Sequence, residues 1–131
     1  MKLKWQLVRD GEVIFEIPLS PTKTSREAFI SELDAFEEYF SRLSKIFIAL
    51  SNETRWRMMK QLVRKRNRTI SFSDFMRDLN LNPKLVWENT RKLSEGGLLN
   101  KIGRGQYRCS AFGEAGFIMI NLSLKRLIDE L

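Results

Sequence analysis

The feature that most constrains the fold is a helix signal in the middle of the chain. Asn82 is followed by Pro83, a pair typical of a helix start, because asparagine caps free N–H groups and proline suits the first turn. Gly96 and Gly97 are typical of a helix end. These residues predict a helix over residues 83–95 with both ends well defined.

Two more helices are predicted before this one. Ser51 or Asn52 caps a helix over residues 54–66, and a shorter helix follows over residues 74–79. Only residues 80–82 separate the short helix from the next one. The spacing therefore predicts two helices joined by a tight turn.

Short strands are predicted around these helices. One strand covers residues 69–72, and two more, residues 98–102 and 106–110, form a β-hairpin around Arg104 and its flanking glycines. Helix, short helix, tight turn, helix and hairpin is the order of a winged helix-turn-helix. We therefore expect a mainly α fold with a small β component, in which the hairpin tip carries a guanidinium. A plain glycine turn with a solvated arginine is the alternative for that tip.

The excess positive charge is concentrated in the same segment. The chain has a net charge of +7, but residues 44–110 alone carry 15 basic and five acidic side chains, net +10. Residues 1–43 are net −2 and residues 111–131 net −1. A basic block of this kind is expected of a polyanion binder, although a solvated basic surface explains the charge equally well.

The first candidates for contact with DNA lie on the helix over residues 83–95. If Val86 and Leu93 face the core, the other sides of the helix face outward. The candidates are Lys84, Trp87, Glu88, Asn89, Arg91 and Lys92. The cations suit phosphates, the amide suits adenine if it points outward, the carboxylate suits cytosine, and the indole suits a sugar or a thymine methyl. An exposed indole beside a carboxylate would equally mark a protein-binding face.

A second group of candidates ends the preceding helix. Arg64, Arg66 and Arg68 lie within five residues that also include Lys65. Cations at a helix C-terminus complement its dipole, but four of them exceed that need. We expect some of these arginines, together with Arg104, to contact phosphates.

A β-hairpin is predicted at the N-terminus. Residues 3–17 alternate apolar and polar about a three-residue loop, residues 9–11, with Leu7 opposite Val13. A hairpin with one apolar face is not stable alone, so it must pack on the body of the protein or on a partner. We assign residues 1–24 to this hairpin and its linker.

Long helices are predicted on both sides of the central segment. Thr24 and Glu27 form a capping box that starts a helix over residues 25–50, and the final helix covers residues 113–131. Apolar residues recur along both helices at heptad spacing, which is typical of a seam between helices. The predicted seams contain Phe29, Leu33, Phe36, Phe40 and Leu43, and Phe117, Ile120, Leu124, Leu127 and Leu131. We interpret both seams as a homodimer interface within a domain over residues 25–131; the alternative is an ordinary core-facing side.

The residue types exclude several kinds of active site. The absence of histidine and the single Cys109 exclude a His-dependent triad, a Cys–His dyad and the usual zinc sites. We therefore expect neither an enzyme nor a cofactor. No apolar run reaches the roughly 18 residues of a membrane span, and no signal peptide follows Met1, so we expect a cytoplasmic protein without a membrane partner.

Four segments together resemble the arsenic-repressor-type (ArsR-like) winged-helix transcriptional regulators. They are residues 49–55, 74–82, 93–99 and 107–110, which are similar to the family's entry signature, second helix and turn, passage into the wing, and returning wing strand. The resemblance covers about residues 43–125 and implies a homodimer formed by the first and last helices. Metal-sensing members carry cysteine and histidine ligands, so the resemblance implies a variant that does not sense metal.

The sequence therefore predicts a sequence-specific, double-stranded DNA-binding transcriptional regulator that acts as a homodimer. Two alternatives stay open. One is a winged-helix module that binds protein through Trp87 and Leu85. The other is a sensor that holds a small-molecule effector between the hairpin and the dimer helices.

Overall fold

The structure is a computed structural model that describes residues 3–20 and 22–131, without the side chains of residues 23–25. Its contacts divide the chain into two compact units, Met1–Phe40 and Ser41–Leu131. The predicted boundary after residue 24 falls inside the first unit. In the described part of the chain, every helix is too short or too polar to cross a membrane.

The first unit begins with the expected hairpin. Strand β1 (Lys4–Arg9) pairs antiparallel with β2 (Glu12–Pro18). Asp10 and Gly11 form the turn, and both have a positive φ, 50° and 81°. A two-residue loop with this backbone is of type I′, the turn whose twist matches that of the strands.

The register differs from the prediction because the loop is one residue shorter than expected and a bulge adds a second residue of offset. Leu7 pairs with Phe15 rather than with Val13, and Val13 instead pairs with Val8 across a bulge. The predicted register is therefore wrong by two residues at Leu7. At Leu7 a shift of two keeps the side chain on its expected side of the hairpin, whereas near the turn Val8 and Val13, expected on opposite sides, lie opposite each other.

The predicted long helix over residues 25–50 is interrupted. Helix α1 (Lys23–Ala35) is followed by a 3-10 turn over Phe36–Tyr39, and then by α2 (Phe40–Leu50). The predicted cap, Thr24, lies outside the described side chains. A 3-10 turn has 3.0 rather than 3.6 residues per turn, so it shifts the phase of the apolar seam between the two helices.

The remaining elements alternate helices with three short strands. They are α3 (Glu53–Arg64), β3 (Thr69–Ser71), α4 (Phe72–Leu79), α5 (Pro83–Glu95), β4 (Leu99–Gly103), β5 (Gln106–Cys109) and α6 (Ala111–Glu130). The strands form an antiparallel sheet in the order β3-β5-β4. The helices and strands predicted after residue 53 are confirmed, with ends that differ by two residues at most. The fold is thus a mixture of α and β, with one separate hairpin and one three-stranded sheet.

Side-chain caps define where the helices of the second unit begin. Each of these caps accepts a hydrogen bond from the backbone N–H three residues later. The caps of α3, α4, α5 and α6 are Asn52, Ser71, Asn82 and Ser110, respectively. Each cap satisfies an N–H group that a helix start leaves free.

The core of the second unit lies among α3, α4, α5 and the sheet. Its fully buried side chains are Met58, Met59, Leu62, Phe75, Val86, Leu93, Leu98 and Leu99. Val86 and Leu93 face this core, as predicted from the sequence. Their burial determines which side of α5 is left exposed.

Candidate nucleic-acid interface

Helix α5 is held to the core by one side. Its buried residues are Val86, Asn89, Thr90 and Leu93, which share a side at helical spacing. The opposite side and both flanks face away from the core. These exposed surfaces carry most of the candidate residues.

Asn89 does not face outward, contrary to the prediction. Its side chain is 6% exposed, its Oδ1 accepts from Arg55 Nη1 at 3.0 Å, and its Nδ2 donates to Leu85 O at 2.8 Å. Both ends of the amide are therefore occupied inside the protein. The prediction that Asn89 reads a base is wrong for this reason.

The side of α5 directly opposite the core carries Lys84, Glu88, Arg91 and Glu95. Lys84 Nζ lies 4.0 Å from Glu88 Oε1, and Arg91 Nη1 lies 3.8 Å from Glu95 Oε1. These pairs are long and exposed, so they add little stability and can open at little cost. This stripe is balanced in charge, with two cations and two carboxylates.

Trp87 lies on one flank of the stripe and is 58% exposed. The Arg91 guanidinium carbon is 5.1 Å from the centroid of the indole ring, within the range of a cation–π contact. Leu85 is exposed on the other flank, and Lys92 is half-buried there. The flanks therefore add an apolar ring, an aliphatic side chain and one more cation.

A groove of about 290 Å³ separates α5 from the sheet. It is lined by Trp87, Thr90, Arg91, Ser94, Glu95, Leu99, Lys101 and Tyr107. Lys101 pairs with Tyr107 in the sheet, so its side chain lies on the side that faces α5. Sequence reasoning missed Lys101 as a candidate. Its position two residues after the buried Leu99 was the available signal, because alternate residues of a strand share a side.

The hairpin of β4 and β5 turns at Arg104 and Gly105. Gly103 pairs with Gln106, Gly105 has a φ of +66°, and Arg104 is exposed. Phe72 N–H donates to Gly105 O at 2.8 Å, which anchors the tip to the start of α4. The predicted guanidinium at the hairpin tip is therefore present and exposed.

The second basic group lies at the opposite end of the sheet. Arg68 Nε is 2.8 Å from Glu114 Oε1, and its Nη1 donates to Arg66 O at 2.6 Å. These contacts occupy the Arg68 guanidinium, whereas Arg64 and Arg66 are exposed. This second basic group lies just before the first residue of β3, whereas Arg104 lies beside the last residue of the same strand. The predicted cations therefore do not form one cluster.

The predicted seam of α6 is only partly exposed. Phe117 is 7% exposed and belongs to the core of its own protomer. It is therefore not available to a second copy, and its assignment to the dimer interface is wrong. Ile120 and Leu127 are half-buried, whereas Leu124 and Leu131 are exposed.

Helix α6 also has an apolar side that the sequence interpretation missed. Phe112, Met119 and Leu122 are exposed on the side opposite the buried Gly113 and Phe117. Together with Ala115 they form a series with spacings of three, four and three. This series runs parallel to the predicted seam, so the periodicity alone did not distinguish the two.

The predicted seam residues before α3 are mainly exposed. Leu33, Phe36 and Phe40 are exposed, and Phe29 and Leu43 are half-buried. Each of these aromatic and aliphatic side chains retains surface that a partner could cover.

Cys109 is buried in β5, where burial, assisted by the nearby Glu114 carboxylate, raises the pKa of its thiol to about 11. Such a thiol is neutral and poorly reactive near neutral pH. Within residues 3–20 and 22–131, no three histidine, cysteine or acidic side chains lie close enough to hold a metal ion.

No protein-family model matches the chain, and no curated protein matches it in sequence.

Proposed function

We propose that the chain is a winged helix-turn-helix protein that binds double-stranded DNA as a homodimer and regulates transcription. Helix α4, the tight turn and α5 would form the helix-turn-helix, and the hairpin of β4 and β5 would form the wing. In this proposal the protein acts in the cytoplasm by binding alone, without catalysis. The observation that carries it is the exposed side of α5 beside an arginine-tipped hairpin, within a segment of net charge +10.

The distribution of charge around α5 supports a specific division of roles. Lys84 is exposed at the start of the balanced stripe, and Lys101 and Arg104 are exposed beside it, so that all three would contact DNA phosphates. Glu88 and Arg91, in the stripe itself, would meet base edges once their weak ion pairs open. Affinity would thus come mainly from Lys84, Lys101 and Arg104, and sequence preference from Glu88 and Arg91.

The resemblance to ArsR-like regulators supports the same function. Its four segments correspond to the approach to α3, to α4 with its turn, to the passage from α5 into β4, and to β5. That correspondence agrees with the proposed roles of α5 as the recognition helix and of β4 and β5 as the wing.

Exposed apolar surface supports the proposed homodimer. Phe112, Met119 and Leu122 form one apolar side of α6, and Phe47 and Ile48 are exposed on α2. Exposed apolar side chains in such numbers are typical of protein interaction sites. We propose that a second copy of the chain covers this surface, which would place two copies of α5 on a two-fold symmetric DNA site.

One observation favours a second candidate function, a protein-binding module. The outward stripe of α5 is balanced in charge, and exposed Trp87 and Leu85 flank it. Tryptophan is enriched at protein interfaces. A protein partner would use this side of α5 without requiring the basic hairpin tip.

Two arginine variants separate these functions. Arg104→Ala should weaken binding to every duplex by a similar factor and lower the salt slope by about 2, because each protomer of the dimer then loses one phosphate contact. Arg9→Ala is the matched control, because it removes the same charge from an exposed position in β1, outside the basic segment. Equal binding of duplex by both variants would remove the hairpin tip from the interface and favour the protein-binding module.

A further inference from the structure

A buried arginine links the end of α2 to α5. Arg55 of α3 is 9% exposed, and its Nε and Nη2 donate to Ala49 O at 2.7 Å and Ile48 O at 2.8 Å. Its Nη1 donates to Asn89 Oδ1 at 3.0 Å. The planar guanidinium therefore holds three helices at once.

The surroundings of this cation suggest a geometric role. The C-terminal carbonyls of α2 carry the partial negative charge of a helix end and stabilise the guanidinium, while burial lowers the pKa of Arg55. Burying a charged group costs stability, and apolar replacements of similar size are often as stable or more so. Unlike an apolar side chain, the guanidinium makes hydrogen bonds in fixed directions.

A second contact packs the C-terminal end of α5 against α2. A Cβ on Gly96 would lie 3.1 Å from Ala49 Cβ and 3.2 Å from Lys45 O, closer than side chains normally approach. Helix α5 is thus attached to α2 near its middle through Asn89 and at its end through Gly96. Two points of attachment along a helix determine its direction.

We propose that Arg55 and Asn89 are positioning residues that set the direction of α5 relative to α2 and so align its outward side with the hairpin tip. The inference rests on the proposed DNA binding for its functional consequence. Helix α2 also exposes Phe47 and Ile48, which the proposed dimer would cover. The Arg55–Asn89 bridge would therefore connect the dimer interface to the helix that contacts DNA.

Three variants isolate the bridge. Asn89→Leu removes the acceptor for Arg55 at similar size and leaves Arg55 its two carbonyl acceptors. Asn89→Asp keeps an oxygen facing Arg55, although it loses the hydrogen bond to Leu85 O. Thr90→Val is the matched control, because Thr90 is the next buried residue of α5 and its hydroxyl donates to Val86 O within the same helix. Although Thr90 lines the groove beside α5, it is only 3% exposed, and the substitution keeps its size.

The test combines duplex titration over a range of salt with hydrogen exchange along α5. Asn89→Leu should bind every duplex about tenfold more weakly but keep the wild-type salt slope, because every phosphate-binding cation is still present. Asn89→Asp and Thr90→Val should stay within about threefold of wild type. The unchanged slope and the recovery by aspartate are results that a general loss of stability would not produce.

Wild-type affinity in Asn89→Leu would overturn the inference and leave the proposed function standing. If the wild type binds no duplex, the proposed function fails, and hydrogen exchange decides the inference. Faster exchange along α5 in Asn89→Leu than in Thr90→Val supports it, and equal exchange overturns it. If Asn89→Leu does not fold, Arg55→Lys replaces it, since lysine keeps the charge but lacks the fork that reaches three acceptors.

Discussion

Gly113, in the first turn of α6, packs directly against the backbone of Leu98. A Cβ at this position would lie 2.9 Å from Leu98 Cα and would also meet the Leu98 carbonyl group. Backbone atoms cannot rotate away as the end of a side chain can. Gly113→Ala should therefore push α6 away from the segment that leads into β4.

The magnitude follows from three contributions. Overpacking a core costs about 1–3 kcal/mol, and alanine in place of glycine in a helix returns at most about 1 kcal/mol. Displacing α6 also stretches the hydrogen bond from Ser110 N–H to Leu98 O, now 3.0 Å long, and such a bond contributes about 1 kcal/mol. We expect Gly113→Ala to lower the free energy of unfolding by about 2 kcal/mol.

Gly116→Ala is the control for helix propensity in the same helix. A Cβ at Gly116 would be at least 3.7 Å from the Phe112 ring, an ordinary contact. This variant should leave the free energy of unfolding unchanged or raise it by up to about 1 kcal/mol. The assay is urea denaturation at a fixed protein concentration, because the apparent stability of a dimer depends on concentration. If Gly113→Ala is as stable as Gly116→Ala, the packing of α6 on Leu98 is not as described.

The remaining predictions concern the interface, the dimer and the buried thiol. Trp87→Ala should weaken duplex binding but leave the thermal transition intact, because the indole is 58% exposed; loss of the transition would make Trp87 a core residue. Glu88→Ala should reduce discrimination at one base pair by about 1–3 kcal/mol in a selection of bound sequences, and an unchanged preference would remove Glu88 from base contact. Phe47→Glu with Leu122→Glu, which places charges in the proposed interface, should sediment as a monomer, whereas a monomeric wild type would refute the interface. Burial raises the pKa of the Cys109 thiol from 9.0 to about 11 in the folded protein, so the thiol ionises more readily in the unfolded chain. The free energy of unfolding should therefore fall as the pH rises from 9 to 11, and urea denaturation of Cys109→Ala should lack this contribution.

The second unit could be predicted well from sequence because its signals are local. Asn82, Pro83 and Gly97, which has a φ of +73°, define the ends of α5 through their own backbone and capping properties. Val86 and Leu93 are buried as helical periodicity predicts. Signals of this kind do not depend on residues far along the chain.

The errors arose where distant residues decide the outcome. Asn89 points inward because it accepts a hydrogen bond from Arg55. Arg55 lies 34 positions earlier in the chain, so no local sequence pattern indicates this pairing. Phe117 and Leu122 are both apolar positions of α6, and packing against α3 decides that the first is buried. In the hairpin, a positive φ at Asp10 shortens the loop and shifts the register.

The most direct test of DNA binding is titration of the wild-type protein against random-sequence duplex at several salt concentrations. The logarithm of the association constant should fall linearly with the logarithm of salt concentration, with a slope of about −0.9 for each phosphate contact. If Lys84, Lys101 and Arg104 of each protomer in a dimer contact phosphates, we expect a slope of about −5. A slope near zero, or no binding at low salt, would contradict the proposal that this chain binds DNA.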